Sequence, residues 1–503
     1  QGNVNATLAE RQPGSAIKPL TYAAALDPKW AAQAGVAPLT PATIIADLPT
    51  TFYVTDEEGG NVPYTPVNYD RAFHGPVSVR TALANSYNIP AVKTLDRIGV
   101  DTLKALAGQA GISTFTGDFG LALTLGGGEV KLLDLTAAYG IFRNGRRLDT
   151  QAILTVQDTR ALPGEKSSVG ILEPNKPQPA SRPQLITPET AYLITDILAD
   201  NVARIPAFGE QSVVELPFPA AVKTGTTTDW RDNWTIGYSA ERIVGVWVGN
   251  ADNTPMLDVS GIDGAGPIWR DLMLAAHHQP PLAFPRPEGI REIAICAPSG
   301  LLPSPNCTRT RLERFITGTE PTQVDNQFQV LRIDRATGLR ATAATPSERI
   351  TEQVYWLLPA AYHDWMLSQG IALAPPTPAT VGTNQQSALA TRMEGSATAP
   401  LVLTAPTSNT AYAIHPGMPQ NSQRIAVSGY VANGERWAEL RLRKDDEILA
   451  QGEDLMRIQQ WWVLEPGSHQ FWLEGKATPD AAWMESARAL VVVSSFAEAN
   501  RSP

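Results

Sequence analysis

Apolar positions in the first half of the chain recur at helical spacing. Residues 75–84, 89–99, 102–111, 131–145, 188–200 and 266–278 place them three and four apart, which predicts amphipathic helices. The ends carry matching punctuation: Pro90 near the start of the second, Asp101 before the third, Asn144-Gly145 closing the fourth and Thr187-Pro188 opening the fifth. After Pro219 the period shortens toward two. Trp234, Ile236 and Tyr238 alternate with other residues between "AAVKTGTTT" and "RIVGVWVGN", which predicts three successive short strands in an antiparallel meander. Helices followed by sequential strands point to an α+β layer arrangement for residues 1–285.

From 286 to about 375 the pattern is irregular. Residues 375–400 are rich in Pro, Thr, Ser and Ala and hold no aromatic residue, so residues 286–400 read as an irregular connector ending in a linker. Residues 401–496 form a separate unit of short alternating runs, among them "RIAVSGYVA", "WAELRLRKDDEILAQ" and "QWWVLEPGSHQFWLEG". Turn signals at Asp445-Asp446 and Pro466-Gly467 and the strand spacing predict an all-β sandwich of immunoglobulin-like type. Trp461, Trp462 and Trp472 are read as core aromatics of those strands rather than as sugar-stacking platforms.

The 503 residues are 43% hydrophobic and 18% charged with a net charge of -10, values of a folded chain of several domains. No basic footprint argues for nucleic acid. No run reaches the eighteen or more apolar residues of a membrane helix. The six histidines include no HExxH, and the two cysteines, Cys296 and Cys307, lack zinc-ligand spacing, so neither a metal nor another cofactor is expected. Pro and Gly turns between those cysteines make a disulfide a fair expectation, suited to an oxidising compartment.

Candidate chemistry starts at "RQPGSAIKPLTYAAAL". Ser15 and Lys18 lie one helical turn apart at the head of an alanine-rich segment, where the helix dipole disfavours a cation. A Ser-x-x-Lys match arises by accident roughly twice in a chain of this length. By itself it reads as an ordinary helix start with a solvated lysine. Two further motifs change that reading: Ser86-Tyr87-Asn88 at a junction between predicted helices, and Lys223-Thr224-Gly225-Thr226 entering the meander. A Lys-Thr-Gly triplet alone is expected roughly 0.1 times by chance. Each motif is weak alone, but the three in this order are specific. The trio resembles the set Ser-x-x-Lys, Ser-Asp-Asn and Lys-Thr-Gly of penicillin-binding proteins and class A β-lactamases.

The text around these motifs, "VNYDRAFHGPVSVRTALANSYNIPAVKTLDRIG", "LTLGGGEVKLLDLTAAYGIFRNG" and "KTGTTTDWRDNWTIGYSAERIVGVWVGN", resembles the transpeptidase domain of bifunctional, class A penicillin-binding proteins. "ICAPSGLLPSPNC" and the terminal sandwich are similar to the 1C type of that family. The resemblance implies a peptidoglycan D,D-transpeptidase with the penicillin-binding/serine β-lactamase-like α+β fold, an antiparallel sheet with helices. It assigns Ser15 as nucleophile, Lys18 as general base, Ser86 as proton relay to the departing D-alanine, and Asn88 as binder of a substrate amide that also orients Lys18. Lys223, Thr224 and Thr226 would hold the donor carboxylate, and Gly225 leaves room for the substrate backbone beside the strand. The backbone N–H groups of Ser15 and Thr226 would form the oxyanion hole. At i and i+3, Lys18 is expected within reach of Ser15 Oγ.

The implied partners are peptidoglycan stem peptides, as D-Ala-D-Ala donor and amine acceptor, and β-lactams as covalent inhibitors. The implied location is extracytoplasmic, in the periplasm or at the outer face of the bacterial inner membrane. Only fourteen residues precede Ser15 and the first is Gln1, so the family's first strands, its glycosyltransferase domain and its membrane anchor are expected upstream. The alternatives are a D,D-carboxypeptidase or β-lactamase-type hydrolase on the same acyl-enzyme, and a non-catalytic cell-wall-binding scaffold or sensor. The Glu-x-x-Leu-Asn deacylation signature does not occur between Asn88 and Lys223, which favours transpeptidation.

Overall fold

Every residue of helix Lys18–Leu26 is buried. Apart from Lys18 and Thr21 its sequence is apolar on all sides, as an interior helix must be. Its alanines let helices Asn88–Ile98, Val100–Ala110 and Pro188–Leu198 pack against it. The computed structural model describes residues 5–55, 61–150, 183–227, 230–257, 259–376, 401–406, 410–414, 423–431 and 435–495. They fall into two compact units, Gln1–Asn326 and Gln327–Pro503.

In the first unit the predicted meander is present. Strand Asp232–Tyr238 lies between Ala221–Thr226 and Ile243–Gly249, antiparallel to both, with Lys223 opposite Ile236 and Trp234 opposite Trp247. The two-residue alternation sorts its faces. Trp234, Ile236 and Tyr238 join the main core with Leu20, Leu83, Val92 and Ile194. On the opposite face Val222 and Val246 pack with Trp269 and Met273 of helix Ala265–Ala276. The predicted helix ends hold at two places: Thr187 accepts from the Thr190 N–H, and Gly145 takes the left-handed closing conformation at φ 81°. Asp101 lies in the first turn of its helix instead of capping it.

Residues 286–376 depart from the expected irregular connector. They carry hairpins Ile290–Cys296/Thr310–Ile316 in the first unit and Phe328–Asp334/Ile350–Trp356 in the second. The signal is hidden because the buried face of the first hairpin rests partly on a carboxylate. Glu313 is fully buried, accepts from Arg80 Nε and from Arg80 Nη2 at 2.6 Å, and pairs with Arg311 at 2.8 Å. Arg80 also reaches Asp196 at 2.5 Å and Asp200 at 3.1 Å, and Arg314 pairs with Asp196. This network ties the hairpin to helix Val79–Ala84, which runs into the turn at Ser86. Cys296 and Cys307 are disulfide-bonded beside the hairpin. The predicted linker falls almost wholly in residues 377–400, outside the described residues.

Beyond that hairpin the second unit carries the short helix His363–Ser368, two 3-10 turns and two β-sheets. One sheet runs in the order Leu401–Ala405, Arg424–Val431, Arg457–Val463; the other in the order Thr410–Ile414, Ala489–Ser495, Gly467–Lys476, Trp437–Lys444, Glu447–Leu455. Leu401, Val427 and Ile458 of the first sheet share one core with Leu440, Phe471 and Val491 of the second. Trp462 and Trp472 are buried as expected, whereas Trp461 is 46% exposed, because neighbouring residues on a strand face opposite ways. No helix among the described residues is long and apolar enough to cross a membrane.

Candidate active site

A single 3-10 turn, Gly14–Ile17, precedes the buried helix and carries Ser15. It crosses strand Ala221–Thr226 so closely that two glycines are required. Gly14 has φ 53°, and a Cβ there would meet Thr226 O at 2.6 Å; a Cβ on Gly225 would meet Pro13 O at 2.3 Å. Trp234 Nε1 donates to Gln12 O at 2.8 Å and Tyr139 OH to Ala16 O at 2.6 Å, which pins the turn from both ends. Ser15 is left half-buried at the crossing, beside the Lys-Thr-Gly strand.

Lys18 is fully buried. Its Nζ donates to Ser86 O at 2.5 Å, Asn88 Oδ1 at 2.7 Å and Tyr87 O at 3.2 Å, and lies 3.4 Å from Ser86 Oγ. Burial, then the charge of Lys223, holds its pKa well below the usual lysine value; Asp47 pulls weakly the other way. The expected contact between Lys18 and Ser15 is not among the hydrogen bonds of the described residues. Two carbonyls and an amide oxygen at one turn satisfy the amine better than one hydroxyl oxygen, so its head turns to the Ser86–Asn88 side of the cleft. Asn88 is oriented for this by donating Nδ2 to Val67 O at 2.7 Å, which leaves Oδ1 facing the amine.

Ser86 has φ 61°, a left-handed conformation that costs a non-glycine residue about 1–3 kcal/mol and recurs at functional sites. Its hydroxyl accepts from Lys223 Nζ at 2.8 Å, so Ser86 Oγ stands between the two amines. Lys223 is also buried and donates to Thr224 O at 2.9 Å. Burial, with the Arg204 cation second, lowers its pKa to about 7. Thr226 Oγ1 accepts from Gly261 N at 2.9 Å. Four side chains from three distant segments, Lys18, Ser86, Asn88 and Lys223, are therefore linked in one cluster, and Ser15 lies on the turn next to it.

Behind the motif residues lies a second set of side chains that no motif announces. Arg204, buried, acts on Lys223, and its turn is joined to Asn85 through the bonds of Asn85 to Ala203 O and from Ala207 N. Asn68 Oδ1 accepts from Asn88 N at 2.7 Å. Periodicity carried no signal for either; the one available hint was the run of polar residues in "VNYDRAFH" just ahead of a helix. Among the described residues no cluster of three or more His, Cys, Asp or Glu side chains could hold a metal ion.

Comparison with known proteins identifies the family of the first unit. A family model described as "Penicillin binding protein transpeptidase domain" matches residues 3–274, and "Penicillin-binding protein 1A, C-terminal domain" matches residues 286–330. The chain is similar to penicillin-binding protein 1C of Escherichia coli (strain K12), 31% identical over 330 residues, covering 64% of this chain and 37% of that protein. Penicillin-binding protein 1A of Clostridium botulinum (strain Hall) is 29% identical over 395 residues, covering 73% of this chain and 44% of its own length. Among solved structures, penicillin-binding protein 1A from Haemophilus influenzae has a TM-score of 0.53 and 25% identity, over 64% of this chain and 51% of that one. The chain thus spans less than half the length of these curated relatives. On the match over residues 3–274, the chain belongs to the penicillin-binding protein transpeptidase family.

Proposed function

We propose that this chain is a serine D,D-transpeptidase that cross-links peptidoglycan stem peptides. The observation that carries the reading is the meeting of buried Lys18 and Lys223 with half-buried Ser86 and Asn88 in one cluster, with Ser15 on the turn that crosses the Lys223 strand, in a chain of this family. Lys18, kept uncharged by burial and with no carboxylate in ion-pair distance among the described residues, takes the Ser15 Oγ proton, and Oγ attacks the carbonyl carbon between the two terminal D-alanines. The backbone N–H groups of Ser15 and Thr226 stabilise the oxyanion. The C–N bond then breaks, and the departing D-alanine amine takes a proton by way of Ser86, which already bridges both amines. An acceptor amine attacks the resulting ester, forms the new amide and frees Ser15.

Lys223, Thr224 and Thr226 hold the donor carboxylate, and the donor backbone lies alongside the outer strand of the sheet, where Gly225 allows the close contact with the Ser15 turn. Asn88 binds a donor amide. A β-lactam acylates Ser15 by the same attack. The domain reading is a transpeptidase domain ending near residue 285 and a C-terminal domain of immunoglobulin-like sandwich type. Family membership and the bonded cysteine pair support an extracytoplasmic location, at the periplasmic or outer face of the inner membrane.

Labelled penicillin tests the reading directly. The chain should become covalently tagged and Ser15→Ala should remain untagged. Undiminished tagging of that variant would place the nucleophile elsewhere. With a D-Ala-D-Ala donor and an added amine, the product should be the new amide; free acid as the sole product would make the enzyme a carboxypeptidase.

A further inference from the structure

Behind the Ser86–Asn88 turn lies a carboxylate with no assigned role. Asp47 ends strand Ile44–Asp47, and its side chain is fully buried. It accepts from Asn68 Nδ2 at 2.9 and 2.8 Å, from the His74 backbone N–H at 3.1 Å and from His74 Nδ1 at 2.6 Å. Each of these partners leads back to Lys18. Asn68, 2% exposed, accepts through Oδ1 from the backbone N–H groups of Asn88 at 2.7 Å and Ile89 at 3.3 Å. The His74 ring stacks flat on Tyr87, with centroids 3.8 Å apart and planes 12° from parallel. Asn88 Oδ1 and Tyr87 O are two of the acceptors that hold the Lys18 amine.

We infer that Asp47 is a positioning residue for the acyl transfer: through Asn68 and through His74 it holds the Ser86–Asn88 turn where Lys18 needs it. This rests on the reading of Lys18 as general base. Two independent arms from one carboxylate converge on one amine, and the turn they hold contains the strained Ser86, which needs support from its surroundings. A buried carboxylate is costly unless its oxygens are satisfied, and here every donor but one belongs to an uncharged group. The exception is the His74 ring, which carries a charge only when protonated. Burial lowers its pKa, but Asp47 and then Asp70, at 3.0 Å from Nε2, outweigh that and leave it raised.

Asp47 also acts on Lys18 at a distance. The ionisable groups acting on the Lys18 amine are Lys223 on the sheet and Asp47 behind the turn, with opposite signs. Loss of the Asp47 charge removes the carboxylate that favours the ammonium, so the amine stays neutral to lower pH.

Acylation of the intact chain by a fluorescent penicillin tests this, with the first-order acylation constant and the dissociation constant of the preceding complex measured separately across pH. Asp47→Asn keeps the shape but sets an amide against the Asn68 amide and removes the charge. It should lower the acylation constant on the order of 10–100-fold with little change in the dissociation constant, and move the acidic limb of the profile to lower pH. His74→Phe keeps the stack on Tyr87 and loses the bond to Asp47; it should lower the constant by up to about 10-fold. A purely structural Asp47 would lower the melting temperature but leave folded protein with the wild-type constant and profile, and that result overturns the inference. Should Asp47→Asn fail to fold, wild-type acylation by His74→Phe overturns it instead. If the wild-type chain is not acylated at Ser15, the transpeptidase reading itself fails, a distinct outcome.

Discussion

In the first unit Lys18 and Lys223 are buried, and among the described residues neither has a carboxylate within ion-pair distance. In the second unit Lys444 is almost as buried, at 7% exposed, but it meets Glu465 at 2.6 Å and Glu447 at 3.6 Å. The consequences are opposite. Burial lowers both lysines of the first unit, Lys223 to about 7. Burial also pulls Lys444 down, but its bond and charge contacts with Glu465 win and raise it. The backbone repeats the contrast. The first unit holds Ser86 at φ 61° amid its cluster, whereas the second uses φ 50° at Asp445, a residue type that tolerates it, between two paired strands. A lysine matched with carboxylates keeps its charge, whereas the roles proposed for Lys18 and Lys223 fall on two lysines that are buried unmatched, at a cost in stability. Of these three lysines, the two unmatched ones lie in the candidate site of the first unit and the matched one lies in the second unit.

The largest effect expected from breaking this contrast is at Lys18. Lys18→Met should reduce penicillin acylation on the order of 1,000-fold, the scale of a lost general base, measured as the rate of covalent tagging. It also strips a donor from the Ser86 and Tyr87 carbonyls, so a stability gain is not expected.

Lys223→Met comes next. Removal of a charged partner for the donor carboxylate should weaken substrate affinity roughly 10–100-fold, seen as a rise in KM. Its effect on stability has a definite pH sign. Between the ordinary lysine value and about 7 the unfolded chain takes up a proton that the folded chain refuses, so wild-type stability falls as pH drops through that window and the full cost is present below it. The Tm of Lys223→Met relative to wild type should therefore climb as pH falls from 10 to 7 and level off below. In wild type, affinity for an anionic donor should weaken as pH rises above about 7, where the empty cleft loses its cation.

Lys444→Met should have the smallest effect, about 1 kcal/mol of lost stability at neutral pH and no change in acylation. The sign is reversed. A raised lysine contributes stability that is complete below its unfolded pKa and vanishes as pH rises through the folded one, so the deficit of this variant should close at alkaline pH. Thermal unfolding of the two variants across pH should thus give slopes of opposite sign. Parallel slopes would remove the distinction between matched and unmatched lysines.

The three motifs could be read from the sequence because each packs several chemical requirements into a few adjacent residues. The meander was legible because Trp234, Ile236 and Tyr238 alternate by face, and the helix ends because Thr187 and Gly145 act within one turn. Hairpin Ile290–Cys296/Thr310–Ile316 was not, since a buried strand position filled by Glu313 looks exposed to any reading of hydropathy. Asp47, Asn68, His74 and Arg204 escaped for a related reason. Each is a solitary polar residue whose meaning depends on burial and on partners many positions away.

Local order along the chain therefore determined which residues are candidates for the chemistry: a lysine three positions after Ser15, a Ser-Tyr-Asn turn and a Lys-Thr-Gly strand. Only the tertiary structure decided how those residues are charged and held. Burial sets the pKa of both amines, and the head of Lys18 is aimed at Ser86, Tyr87 and Asn88 rather than at its own helix neighbour. Desolvation and hydrogen-bond competition are properties of what surrounds a group in space, and those surroundings exist only once distant segments have packed together.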